Sequence, residues 1–324
     1  MRFGGIAATV ALILSSAAPA LAQRYPFERS FNVADGVTLN VQTTRGKIEV
    51  KVGPPGRVLV GGAATVRLGW DVPADTKLAE QFAASPEIEQ QGNVLRLRSP
   101  SNPAQERAVT VNYVVTVPPA TVITTVSDSG ATAIQGVAGR VSVRTGSGAI
   151  DLSDLRGEAE AESSSGAITA NGVAGSLTIS TSSSAFKGRS LGGDLRVRTW
   201  SGAVEATLEG AGAIDVQTSS SGIEIRGARG PVKTVTQSGR TSVSGQPEQA
   251  WNISAGSGSV EAVVAAPKGL TVDAATDSGS VTVDGGDVQG SVSKRRVAGT
   301  IGGDGPLVRI NTRSGSVSLT ITGR

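Results

Sequence analysis

The sequence predicts an all-β solenoid, and three observations carry that expectation. Ser147-Gly148-Ala149-Ile150 returns as Ser165-Gly166-Ala167-Ile168, one 18-residue step later. A fixed period of this length marks a stack of coils, each burying its edge on the next. The 324-residue chain has 43 glycines but only five Phe, three Trp and two Tyr, so its interior must be narrow and filled by small side chains. Finally, long stretches alternate apolar and polar residues with period two, the signature of strands with one buried face.

In chain order, residues 1–22 read as a cleaved signal peptide. Arg2 supplies the charge, Ile6 to Leu14 is an apolar core too short to span a bilayer, and Ala20-Leu21-Ala22 is a small-x-small cleavage site. The chain has no Cys, which rules out a lipid-anchored cysteine and does not conflict with an oxidising compartment. The expected location is periplasmic or extracellular, with no transmembrane segment. Removing residues 1–22 takes one of 30 basic residues and none of 27 acidic ones, so the net charge falls from +3 to +2. The one basic run, Lys294-Arg295-Arg296, is short, and no basic face suited to nucleic acid is visible.

Residues 23–121 form an N-terminal β-rich region of the same solenoid. Phe31 to Val52 alternates as strands with turns at Asp35-Gly36 and Arg45-Gly46; Pro54-Pro55-Gly56 interrupts, and Arg57 to Val60 resumes. Asp75 to Ala84 is the one expected helix, with Asp75 as its cap and Leu78 and Phe82 on one face. Val94 to Arg98 and Val109 to Val117 are further strands, and Pro118-Pro119 ends the second.

Residues 122–324 are the repeats. Marker serines stand at 129, 147, 165, 184, 201, 221, 238, 257, 278 and 314, in steps averaging about 18.5 residues if the last gap holds two coils. Ala298-Gly299-Thr300-Ile301 would be the degenerate marker inside that gap. The glycine after each serine suits a corner with positive φ. An aliphatic ladder (Ile150, Ile168, Val204, Val260, Val281, Val317) supplies burial. A hydroxyl ladder (Ser127, Thr145, Ser163, Ser182, Thr199, Ser219, Thr236, Thr276, Thr312) would bond corner backbone groups. The last marker, Ser314, stands half a coil from the end, leaving Leu319 and Ile321 at an end that either Arg309, Arg313 and Arg324 guard or a partner strand covers.

The strand ending in Val-Thr-Val-Pro, the Ser-Gly-x-Ile repeats and the leading strand region with its helix resemble the bacterial putative-adhesin family, a β-strand-repeat domain of unknown function. The resemblance covers roughly Phe31 to Thr322 and implies a single-stranded, right-handed parallel β-helix. Ser184-Ala185-Phe186 and the coil after Ser278 depart from its pattern. The family supplies no catalytic residues to carry over.

Residue chemistry narrows the function classes. Without His or Cys there is no imidazole or thiolate chemistry, and a row of equivalent serines is not a nucleophile with its own base. Asp284, Asp287 and Asp304 lie in Gly-rich turns but lack the tandem nonapeptide of calcium-binding β-rolls. Glu158, Glu160 and Glu162 share one strand face, with spacing that would permit a glycosidase pair, yet they alternate with Ala159 and Ala161 as a solvated face does. Trp200, at a corner, and Trp70, before a Pro-containing loop, are the candidate ligand contacts. No catalytic residue, metal ligand or cofactor is assigned. The expected function is an exported, non-enzymatic, adhesin-like binding or scaffold protein of the cell envelope. Its partner would be an envelope polymer, glycan or protein surface, with homo-oligomerisation left open. The alternative is a carbohydrate-active β-helix enzyme, a polysaccharide lyase or hydrolase.

Overall fold

The computed structural model describes residues 23–67, 72–266 and 268–323; residues 1–22, where a signal peptide is expected, and Trp70 lie outside them. Two sheets face each other, one of 14 strands and one of 15. From Val122 onward each regular coil lays one strand in each sheet, parallel to the coil before it. Val141–Thr145 stacks on Val122–Ser127 in the larger sheet, and Ile150–Ser153 on Thr132–Gln135 in the smaller. Fifteen rungs at ~4.8 Å make a rod about 65 Å long.

The aliphatic ladder stands as expected. Ile150 registers with Ile168, Ile168 with Phe186, and Phe186 with Val204. All four are buried. Phe186, at the position that breaks the repeat, keeps its place in the ladder because Gly188 leaves room for its ring. The strand Val109–Val117 has the expected bounds, and its alternate residues are buried.

Corner chemistry differs from expectation in two respects. The buried hydroxyls at the fourth and sixth ladder positions are Thr181 and Thr218, not Ser182 and Ser219. Register decides this, since Ser163 pairs with Thr181 and Thr199 with Thr218. Four other ladder hydroxyls bond the corner backbone as expected: the N–H groups of Gly130, Gly148, Gly166 and Gly202 donate to Ser127, Thr145, Ser163 and Thr199 at 2.8, 3.0, 2.8 and 2.8 Å. The glycines of these early corners do not have positive φ; only the later ones, such as Gly239 and Gly258, do. Gly166 is required for another reason. A β-carbon there would overlap the carbonyl of Gly148 in the coil below.

Both ends of the solenoid are built out of sequence order. At the N-terminal end, Val94–Arg98 and Val109–Val117 stack outside Thr38–Thr43 and Ile48–Val52. Antiparallel strands then close the edges. Arg57–Val66 pairs with Val109–Val117, Arg24–Asn32 with Arg57–Val66, and Ile88–Gln91 with Val94–Arg98. Helix α1 (Val72–Ala84) lies over this end, burying Ala79 and Phe82, with Leu78 packed half-buried against the core. Phe27 meets Phe82 and Tyr113 edge-on, with ring centroids 6.1 and 5.9 Å apart. Helix α1 starts three residues before the expected bound, so Asp75 sits in its first turn rather than at its cap. A second helix, α2 (Pro103–Ala108), was not anticipated; Asn102 caps it by accepting from the Ala104 N–H, and Pro103 opens it.

At the other end the interval between Ser278 and Ser314 does not hold two coils. Val288–Val292 and Arg296–Ile301 form an antiparallel hairpin, and the second strand runs antiparallel to Leu270–Ser278. The supposed marker Ala298–Ile301 is part of that hairpin. The final coil, Leu307–Ser314 with Val317–Thr322, is not terminal in space. It inserts between the coil of Trp251–Ser257 and Val260–Ala265 and the coil of Leu270–Ser278 and Val281–Asp284. Leu319 and Ile321 are therefore buried, and Arg309 pairs with Asp273 at 3.4 Å instead of guarding an edge. The edges at this end are Val281–Asp284 and Val288–Val292, where Val292 is 64% exposed.

Candidate functional site

Trp200 stands at the end of the strand Leu195–Thr199, where the chain leaves the 15-stranded sheet. Its backbone is held in the corner stack: its N–H donates to Thr181 O at 3.3 Å, and its carbonyl accepts from Ser219 and Ser220 at 3.1 Å each. The indole is free of that stack and 69% exposed. Trp251 shows the opposite case, fully buried with its indole N–H on the Gly230 carbonyl. The corner above Trp200 carries one extra residue, since Thr218 and Gly222 are four apart where Thr199 and Gly202 are three. The Thr218 hydroxyl, buried at that corner, has no hydrogen-bond partner.

Beside Trp200 lies a shallow cavity of about 360 Å³, lined by Ser180, Arg198, Gln217, Val235 and Gln237 as well as the indole. Parallel register brings Arg198 next to Gln217, and Gln217 next to Val235. Arg198 donates to Gln217 Oε1 at 2.7 Å, and Gln217 donates to Asp215 Oδ1 at 3.1 Å. An aromatic plane beside linked donors and acceptors, on a flat polar face, is the arrangement that stacks a sugar ring and bonds its hydroxyls. Trp70, the other candidate, lies outside the described residues.

The opposite face carries a carboxylate row that the sequence reading passed over. Lys187, Glu205, Glu224, Ser242 and Glu261 occupy successive outward positions on the 14-stranded sheet, over a cavity of about 590 Å³. Aligning coils on the aliphatic ladder would have found it, because each residue follows a ladder position. Lys187 Nζ lies 3.0 Å from Glu205 and holds that carboxyl below the ordinary glutamate value. Arg226 pairs with Glu224 and reaches Glu205 at 3.9 Å. A general acid in glycoside hydrolysis needs its pKa raised, so Glu205 is pushed the wrong way for that one role. Of Glu158, Glu160 and Glu162, the last two are also ion-paired, with Arg144 lying 3.1 Å from Glu162 and 3.9 Å from Glu160. Exposed pairs such as these contribute little to stability.

The marker serines do not converge on a base. Ser221 donates to the Ser201 carbonyl at 2.7 Å, and Ser129 to Thr44 O at 3.3 Å, so both serve the corners.

The Toastrack DUF4097 family model matches residues 86–320. The chain belongs to that family. The Toastrack match takes in both faces described above and the inserted final coil as far as residue 320, and it leaves out helix α1. Two solved structures are similar. One is a putative adhesin from Bacteroides fragilis NCTC 9343, 11% identical, with a TM-score of 0.31 and coverage of 92% of this chain and 97% of that one. The other is a putative cell adhesion protein from Clostridium sporogenes ATCC 15579, 10% identical, with a TM-score of 0.18 and coverage of 92% and 100%. No curated protein matches the chain.

Among the described residues no group of three or more Asp, Glu, His or Cys is placed to hold a metal ion. Asp284 ends a strand of the 14-stranded sheet, whereas Asp304 lies in the connection leading into the 15-stranded sheet. Excess EGTA is expected to leave the melting temperature unchanged. A clear fall would restore calcium to Asp284, Asp287 and Asp304. Among the described residues no helix is long and apolar enough to cross a membrane.

Proposed function

We propose that this is an exported, non-enzymatic binding or scaffold protein of the bacterial cell envelope, adhesin-like in use, which holds an extended glycan on its 15-stranded face. The exposed indole of Trp200 beside the Arg198–Gln217–Asp215 network carries this reading. Rungs repeating every ~4.8 Å present side chains at regular steps, which suits a repeating polymer better than one small substrate. Export rests on the charged, apolar and small-x-small order of residues 1–22.

Residues 23–324 applied to a glycan array and to isolated envelope fractions should retain a polysaccharide or glycan-bearing fraction. Trp200→Ala should weaken that binding roughly fivefold, the equivalent of about 1 kcal/mol for a stacked aromatic. Its melting temperature should not move, since the indole packs on little. Undiminished binding by the variant would remove Trp200 from the site.

A further inference from the structure

The inserted final coil points to a second property, independent of the glycan reading. The edge formed by Trp251–Ser257 and Val260–Ala265 faces a choice between two coils of the same chain. Both carry the sequence Ser-Gly-Ser-Val, at Ser278–Val281 and at Ser314–Val317, and the edge itself carries it at Ser257–Val260. The final coil occupies the place, with Ser257 opposite Ser314 and Val260 opposite Val317. The coil of Leu270–Ser278 then stacks on the final coil in unshifted register, Ser314 opposite Ser278 and Val317 opposite Val281. Thus Leu270–Ser278, which comes next in the chain, has the register to close the edge directly. Were it to do so, the final coil would be released with Val308, Ile310, Val317, Leu319 and Ile321, all buried now, left uncovered. That apolar strand pair fits one kind of described surface, the corresponding place in another copy.

We propose that residues 307–322 are an exchangeable coil, and that the Trp251–Ser257 and Val260–Ala265 edge accepts it from the same chain or from a second copy of this protein. The connection Gly302–Pro306 is the hinge. Gly302 and Gly303 there have φ of 71° and 111°, and glycine accepts the further backbone change that an open form needs. The partner is recognised by ladder hydrogen bonds, by the matched Ser-Gly-Ser-Val corner and by alternate aliphatic side chains entering the core, as in strand addition.

Because the chain has no Cys, engineered thiols report the exchange cleanly. Ser254 and Asn311 face each other across the two parallel strands, at a spacing a disulfide spans. In one chain, Ser254→Cys with Asn311→Cys should close intramolecularly under mild oxidation, which verifies the register. Full chains bearing only Ser254→Cys, mixed with chains bearing only Asn311→Cys and held just below the melting midpoint, should give a covalent heterodimer. Its yield should exceed several-fold that of Ser142→Cys mixed with Asn311→Cys, since Ser142 lies on the distant strand Val141–Thr145. Intramolecular closure with no heterodimer above that background would overturn the exchange. A double variant that stays reduced would overturn the register and the proposal with it.

Discussion

Ile168→Asp is expected to lower the melting temperature by about 10 °C or more. Ile168 is fully buried between Ile150 and Phe186 in the ladder of the 14-stranded sheet. An aspartate there would carry its charge into a core with no basic partner, or stay protonated against its ordinary pKa, and the aliphatic contacts would vanish in either case. Buried, unpaired charges of this kind cost on the order of 4–5 kcal/mol. The coils on either side share the ladder, so the loss is not confined to one rung. Thermal unfolding followed by circular dichroism checks it, and a melting temperature equal to the parent's would refute the ladder.

Gly166→Ala adds one methyl group and is expected to cost about 3 kcal/mol. The added carbon would overlap the Gly148 carbonyl. Neither side can yield cheaply. Gly166 N–H is bonded to Ser163 Oγ, and on its two sides Ser165 N–H bonds the Gly146 carbonyl and Ile168 N–H bonds Ala185 O. Relief would require separating two rungs of both sheets at that corner. Ser165→Ala, one residue earlier at an exposed position, should leave stability unchanged, because no hydrogen bond of its hydroxyl holds the corner. Urea unfolding of the two variants side by side separates the readings. Equal midpoints would show that glycine serves the corner by something other than close stacking.

The repeat was legible because each coil answers the same packing problem, so Ile150 and Ile168 could be placed from spacing alone. Hydroxyl positions were harder. Where three serines follow one another, as at Ser182–Ser184 and Ser219–Ser221, spacing cannot say which neighbouring residue turns inward, and only ladder register selects Thr181 and Thr218. Glycine at the corners was recognised, but for the wrong reason at Gly148 and Gly166. A sequence reports that a side chain is missing, not whether torsion or a neighbouring carbonyl excludes it. The ends were the least legible part. Leu307–Ile321 reads as one more coil, and nothing in its alternation says that it enters between two earlier coils. That placement depends on competition between Ser-Gly-Ser-Val coils for one edge. Of the candidate site, Trp200 was visible as an aromatic among small corner residues. Its partners Asp215 and Gln217 lie a coil away and needed the register.

The chain is proposed to hold a glycan without changing it. The direct measurement is size-exclusion chromatography with light scattering on residues 23–324 mixed with the polymer retained from the array, sampled over many hours. Polymer and protein should elute together, Trp200→Ala should reduce this co-elution, and the released polymer should keep its starting mass. A polymer that shortens with time, and stops shortening in a Glu205→Gln, Glu224→Gln variant, would contradict it and make the 14-stranded face an active site.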